Sequence, residues 1–133
     1  MLLKNRNAVI YGAGGSIGGA LAVALARDGA RVFLAGRTPE SLEKVAGEVI
    51  DAGGQAEVTV LDEQAVDAHI RSIVDNHGSL DISINLVQRG DVQGIPLVEM
   101  STQDLVGPIV TGVTANFVTA RAAARRMVEQ GSG

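Results

Sequence analysis

The chain has 133 residues, 46% of them hydrophobic and 20% charged, the balance of a protein with a real core rather than of a disordered segment. A net charge of -4 argues against a nucleic-acid partner, whose footprint would be basic, and the lack of cysteine excludes disulfides and thiolate metal sites. No apolar run reaches bilayer length, and the stretch after Met1–Arg6 breaks at Gly12 too early for a secretory signal, so the expectation is no membrane partner and a cytoplasmic location.

Asn7 to Tyr11 is a short apolar run that ends at glycines and is expected to be a buried strand. Ile17 to Asp28 has apolar residues at helical spacing, with Gly29 as the stop. Arg31 to Ala35 is the second expected strand. Thr38 then serves as an N-cap, with Pro39 at the first helical position of a helix that stops at Gly53-Gly54. Ala56 to Leu61 is the third strand, rich in β-branched residues. Glu63 to Asn76 is the third helix, with Val66, Ile70, Ile73 and Val74 on one face. Leu80, Ile82, Ile84 and Leu86 alternate as a fourth strand. A loop follows, Ser101 caps a short turn, and Pro108 opens a last helix to about Glu129. Val113, Phe117, Ala120, Ala124 and Met127 are expected to face inward on it.

Strands alternating with helices predict right-handed βαβ crossovers and a doubly wound, Rossmann-type α/β fold. The expected strand order is 3-2-1-4, with helices on both faces. No linker or repeat divides the chain, so residues 1–133 are expected to form one domain.

The first strand runs into Gly12-Ala13-Gly14-Gly15-Ser16-Ile17-Gly18. A strand, a glycine turn and a helix together suit a pyrophosphate: the chain reverses sharply, and free N–H groups and the helix dipole favour the anion. Gly12, Gly14, Gly15, Ser16, Ile17 and Gly18 are therefore candidate cofactor-binding residues. At the end of the second strand, Leu34-Ala35-Gly36-Arg37-Thr38 offers no carboxylate for a ribose 2′-hydroxyl, while the planar fork of Arg37 suits a 2′-phosphate. Arg37 and Thr38 join the site, and NADP(H) is expected over NAD(H). A plain packing turn beside a solvated arginine is the bland alternative.

The turn resembles T-G-x-x-x-G-x-G of the short-chain dehydrogenase/reductase family, with Tyr11 in place of threonine and Ser16 in place of the middle glycine. The likeness continues through Val60-Leu61-Asp62, where it implies that Asp62 contacts adenine. An N-cap on the third helix is the other role open to Asp62. Asn85-Leu86-Val87-Gln88 resembles the family's N-N-A-G in its first asparagine only, and these positions complete the expected cofactor site. Gly112 stands where the family has a supporting asparagine, with Asn116 one turn later as a weak substitute.

The resemblance implies hydride transfer between nicotinamide and a carbonyl or alcohol carbon of a small-molecule substrate. In the family a tyrosine acts as acid or base, a lysine four residues on lowers its pKa, and a serine positions the substrate. Here Tyr11 is the sole tyrosine, Lys4 and Lys44 the sole lysines, and no Tyr-x-x-x-Lys occurs. No catalytic residue is therefore assigned. The expectation is an incomplete family member, its C-terminal half outside these residues and the chain inactive alone. The alternative is a non-catalytic NADP(H)-binding module or degenerate paralogue. His69 and His77 lack a third ligand, so no metal site is expected, and His69 reads as a helix-surface residue. An unpaired fourth-strand edge implies self-association or a partner, with a homo-oligomer as the expected form.

Overall fold

Strand β1 (Asn7–Tyr11) is buried at every position, as a central parallel strand with helices over both faces must be. The computed structural model describes residues 1–133. β1 lies between β2 (Arg31–Gly36) and β4 (Ile82–Asn85), and β3 (Gln55–Val60) lies outside β2. All pairings are parallel and the order is β3-β2-β1-β4, as the crossover argument requires. Ala8 pairs with Val32 and with Ile82, and Tyr11 with Ala35 and with Asn85. The four carboxyl ends therefore finish level.

Alternation along β1 and β2 divides the core into two layers. Ala8, Ile10, Val32 and Leu34 face Ala22 and Ala26 of α1 (Ser16–Arg27) and Leu42, Val45 and Val49 of α2 (Pro39–Asp51). Val9, Tyr11, Phe33 and Ala35 face Val66, Ile70 and Ile73 of α3 (Val66–His77) and Ala122 and Ala123 of α4 (Thr102–Gln130). Each fully buried Val, Ile or Leu contributes about 1.5–3 kcal/mol relative to exposure. The small residues of α1 and α4 let those helices approach the sheet closely.

Three expectations need correction. The last helix does not open at Pro108: it starts at Thr102, and Pro108 lies inside it. Ser101 accepts from the Asp104 N–H at 3.1 Å while Asp104 accepts from the Ser101 N–H at 3.0 Å. This reciprocal capping box starts the helix early enough to carry it through the proline. The inward face of α4 is also different. Gly112, Ala115, Thr119, Ala122 and Ala123 are buried, whereas Val113 and Phe117 are 64% and 58% exposed and Ala120 and Ala124 are also exposed. Thr38 occupies the N-cap position of α2, but its hydroxyl accepts no capping bond.

Candidate functional site

The level carboxyl ends of the strands bound a cleft of about 380 Å³. The turn after β1 forms one wall. Gly12 adopts φ +73°, and a Cβ there would meet the carbonyl carbon and oxygen of Leu86 at 2.7 Å and the Val87 nitrogen at 2.8 Å. All three are backbone atoms that cannot step aside, so β1 and the segment after β4 approach this closely only across a glycine. Gly18 serves packing instead. A Cβ there would meet Ala13 Cα and O at 2.7 Å, so its absence seats α1 on the strand. At Gly14 a Cβ would strike the Ser41 side chain, whereas at Gly15 it would meet only Gly12 O at 3.8 Å.

Gly15 caps α1 without a side-chain hydrogen bond. The N–H groups of Gly14, Ser16, Ile17 and Gly18 have no acceptor within the chain, while that of Gly19 bonds to Gly15 O at 2.9 Å. Unpaired donors at the start of a twelve-residue helix, beside a turn too tight for side chains, fit the pyrophosphate of a dinucleotide.

Among the residues expected at the site, Gly12, Gly14, Gly15, Arg37, Thr38, Asp62, Leu86 and Val87 line this cleft. Ser16, Ile17 and Gly18 do not line it, and the Ile17 side chain is 71% exposed. Asn85 sits behind the wall: its Nδ2 donates to Asn116 Oδ1 at 2.7 Å, and its Oδ1 accepts from the Val87 N–H at 3.1 Å. It thereby ties β4, α4 and the Leu86–Val87 segment together. Arg37 is exposed at the end of β2 and forms no ion pair in the chain. Asp62 accepts from the Gln64 N–H at 3.0 Å and so caps the short 3-10 turn Glu63–Ala65 that leads into α3.

Sequence reasoning missed Leu61, Val66, Ala115 and Thr119, which also line the cleft. Leu61, Val66, Val87 and Ala115 make its far part apolar, a slot suited to a flat base. Ala115 and Thr119 were hidden because the expected inward face of α4 was the wrong one. Ser41 reaches the cleft from α2, and no local motif marks it.

Tyr11 is buried in the core layer that faces α3 and α4, and its hydroxyl has no hydrogen-bond partner. Burial, and then the nearby Asp67 carboxylate, push the phenol well above its ordinary pKa. His69, expected on the surface, is half-buried with Nδ1 unpartnered, and burial lowers its pKa against a smaller opposing pull from Glu57. His77 contacts Arg31 through Nδ1 and Glu57 through Nε2 at 3.0 Å.

A second hollow of about 550 Å³ lies beyond the cleft and shares Leu86, Val87 and Gln88 with it. Arg89 enters it over Gly112: a Cβ on Gly112 would meet Arg89 Cγ at 2.7 Å, and Cδ lies closer still. The Arg89 Nη2 donates to Asp91 Oδ2 at 2.8 Å.

The family whose description reads short chain dehydrogenase matches residues 6–133. An uncharacterised oxidoreductase of Staphylococcus aureus (strain USA300) is 33% identical over 133 residues, covering 99% of this chain and 57% of its own. A metagenomic short-chain oxidoreductase in complex with NADP superimposes with a TM-score of 0.81 at 30% identity, covering 100% of this chain and 61% of its own. NAD+-bound xylitol dehydrogenase gives a TM-score of 0.84 at 27% identity, covering 100% of this chain and 52% of its own. The chain thus spans a little over half the length of the curated relative. It belongs to the short-chain dehydrogenase family, whose members bind nicotinamide cofactors.

Proposed function

Starting from that membership, we propose that the chain holds NADP(H) in preference to NAD(H) and serves hydride transfer between nicotinamide and a small carbonyl or alcohol substrate. The observation that carries this reading is the glycine turn beside the cleft: the start of α1 leaves N–H donors unpaired, Gly12, Gly14 and Gly15 line the cleft without side chains, and Arg37 stands unpaired at the adjoining strand end.

In this reading Gly14, Ser16, Ile17 and Gly18 donate their N–H groups to the pyrophosphate, and Gly12 and Gly15 keep the approach open. The α1 dipole adds about 0.3–1 kcal/mol toward the anion. Arg37 takes the 2′-phosphate, for which its fork geometry allows two parallel hydrogen bonds. Asp62 faces the adenine, and Leu61, Val66 and Val87 exclude water from the base. Asn85 holds the Leu86–Val87 wall in place and binds indirectly. Thr38 shapes the start of α2 through its carbonyl, which accepts from the Ser41 hydroxyl at 3.1 Å. When bound, the nicotinamide supplies or accepts the hydride.

No Tyr-x-x-x-Lys occurs, and Tyr11, although it lines the cleft, keeps its hydroxyl buried in the core, so no tyrosine–lysine pair stands here to move a proton for the substrate. These 133 residues alone are therefore expected to bind cofactor without turnover. A cytoplasmic setting and a homo-oligomer complete the reading; no helix is long and apolar enough to cross a membrane, and the exposed apolar face of α4 suits self-association.

The test is Arg37→Ala. Calorimetric titration should show NADPH binding weakened about 10- to 100-fold, the worth of a charge-assisted contact, with NADH binding unchanged. Equal losses for the two cofactors would refute the assignment of Arg37 to the 2′-phosphate.

A further inference from the structure

The second hollow carries information about the substrate. It lies against the cleft across the Leu86–Gln88 wall, so it adjoins the site proposed for the cofactor. Leu86 and Val87 are its sole hydrophobic lining residues; the others include Asn85, Gln88, Arg89, Asp91 and Asn116. Such a surface offers little to an apolar substrate and much to an oxygen-rich one.

Several donors in it are free, beside the Asp91 carboxylate and the Gln88 and Gln93 amides. Asn116 spends its carbonyl on Asn85, which leaves its amide nitrogen without an acceptor. Arg89 gives one contact to Asp91 through Nη2, which leaves Nε and Nη1 unpaired. The stem of Arg89 is seated in the space that any side chain at position 112 would fill, so Gly112 is what lets the guanidinium stand here. A guanidinium held at its stem and paired through Nη2 still has N–H donors on Nη1 and Nε to offer a carboxylate.

We propose that Arg89 anchors the carboxylate of a small hydroxy or keto acid in this hollow, with the Asn116 amide beside it, and so sets the substrate class. The inference rests on the cofactor reading only in identifying the bound acid as substrate. The lining residues named all lie within these 133 residues, so the binding step can be tested separately from hydride transfer.

The experiment is ligand-observed NMR titration of the 133-residue chain with D-glycerate and with glycerol, which shares its carbon skeleton but lacks the carboxylate. Each is run with and without NADPH. Glycerate is expected to bind at least about fivefold more tightly than glycerol, the low end for a half-exposed charged contact. Arg89→Met keeps a stem over Gly112 and should abolish that difference. Gly112→Ala, which displaces the stem, should reduce it while leaving NADPH binding intact. If glycerate binds no better than glycerol, or if Arg89→Met leaves its advantage intact, the inference is overturned. Failure of NADPH to bind, with the glycerate preference present, would instead overturn the cofactor reading.

Discussion

At the amino end of the sheet, Asp81 accepts from the Asn7 N–H at 2.8 Å, from Ser79 Oγ at 2.8 Å and from Arg6 Nη1 at 3.0 Å. Gln130 clasps Leu80 by both backbone groups, at 2.8 and 2.9 Å, as a neighbouring strand would. His77 stands between Arg31 and Glu57; a guanidinium only donates, so Nδ1 accepts from Arg31 and Nε2–H donates to Glu57. At the carboxyl end, four N–H groups of the glycine turn and the Arg37 guanidinium have no partner within the chain. One sheet thus ends in a closed polar network on one side and an open set of donors on the other. A helix start always leaves N–H groups without intrahelical partners, and in the reading proposed above the open end is where an outside anion binds. Stability and binding should therefore separate when the two ends are mutated.

The largest effect is expected at Gly12, where the open end also carries structural weight. Gly12→Ala places a methyl group against the Leu86 and Val87 backbone at a positive φ. It should lower unfolding free energy by about 2–4 kcal/mol in urea titrations and abolish cofactor binding. A wild-type urea midpoint would break the account of the turn.

Asp81→Asn tests the closed end. Burial alone would raise the Asp81 pKa, but the hydrogen bonds from Asn7, Ser79 and Arg6, together with the Arg6 charge, hold it below its ordinary value. The substitution should cost about 1.5–3 kcal/mol at pH 7 and leave NADPH affinity unchanged. Because the folded carboxyl titrates below the unfolded value of about 3.9, its contribution is complete above that pH. It is lost as the pH falls through the folded pKa, so variant and wild type should converge in acid. A pH-independent difference between them would contradict this role.

The smallest effect concerns the outer face of α4. Phe117 is 58% exposed, with the Arg121 guanidinium 4.7 Å above its ring. For the isolated chain, Phe117→Ala should change stability by less than about 1 kcal/mol, whereas Ala122→Leu on the buried face should cost about 1–3 kcal/mol. Thermal melts of the two variants at low concentration decide which face packs on the sheet.

That last pair shows why the sequence was readable in some places and not in others. The strands, their order and the glycine turn follow from local signals: apolar runs closed by glycines, with helix-period segments between them. Arg37 was legible because it lies beside its own strand. The face of α4 was not, because the helix carries two apolar stripes. Val106, Val110, Val113 and Phe117 make the stronger pattern and face outward, while the stripe that packs is built from Gly112, Ala115, Thr119, Ala122 and Ala123. Close approach to a sheet selects small residues, which a search for large hydrophobics passes over. Pro108 misled for a related reason: a capping box at Ser101 and Asp104 outweighs a proline a few residues further on. Ser41, Thr119 and the seating of Arg89 over Gly112 arise from contacts between distant segments and leave no local mark.

The central claim is that the open end of the sheet is an NADP(H) site, and the chain supplies its own reporter. Tyr11, which lines the cleft, is the sole tyrosine, and there is no tryptophan. Titration of the chain with NADPH and with NADH, followed by Tyr11 emission, should show saturable quenching for both, with NADPH about tenfold tighter or more. No saturable change with either cofactor would contradict the account, and equal affinities would contradict its choice of NADP(H).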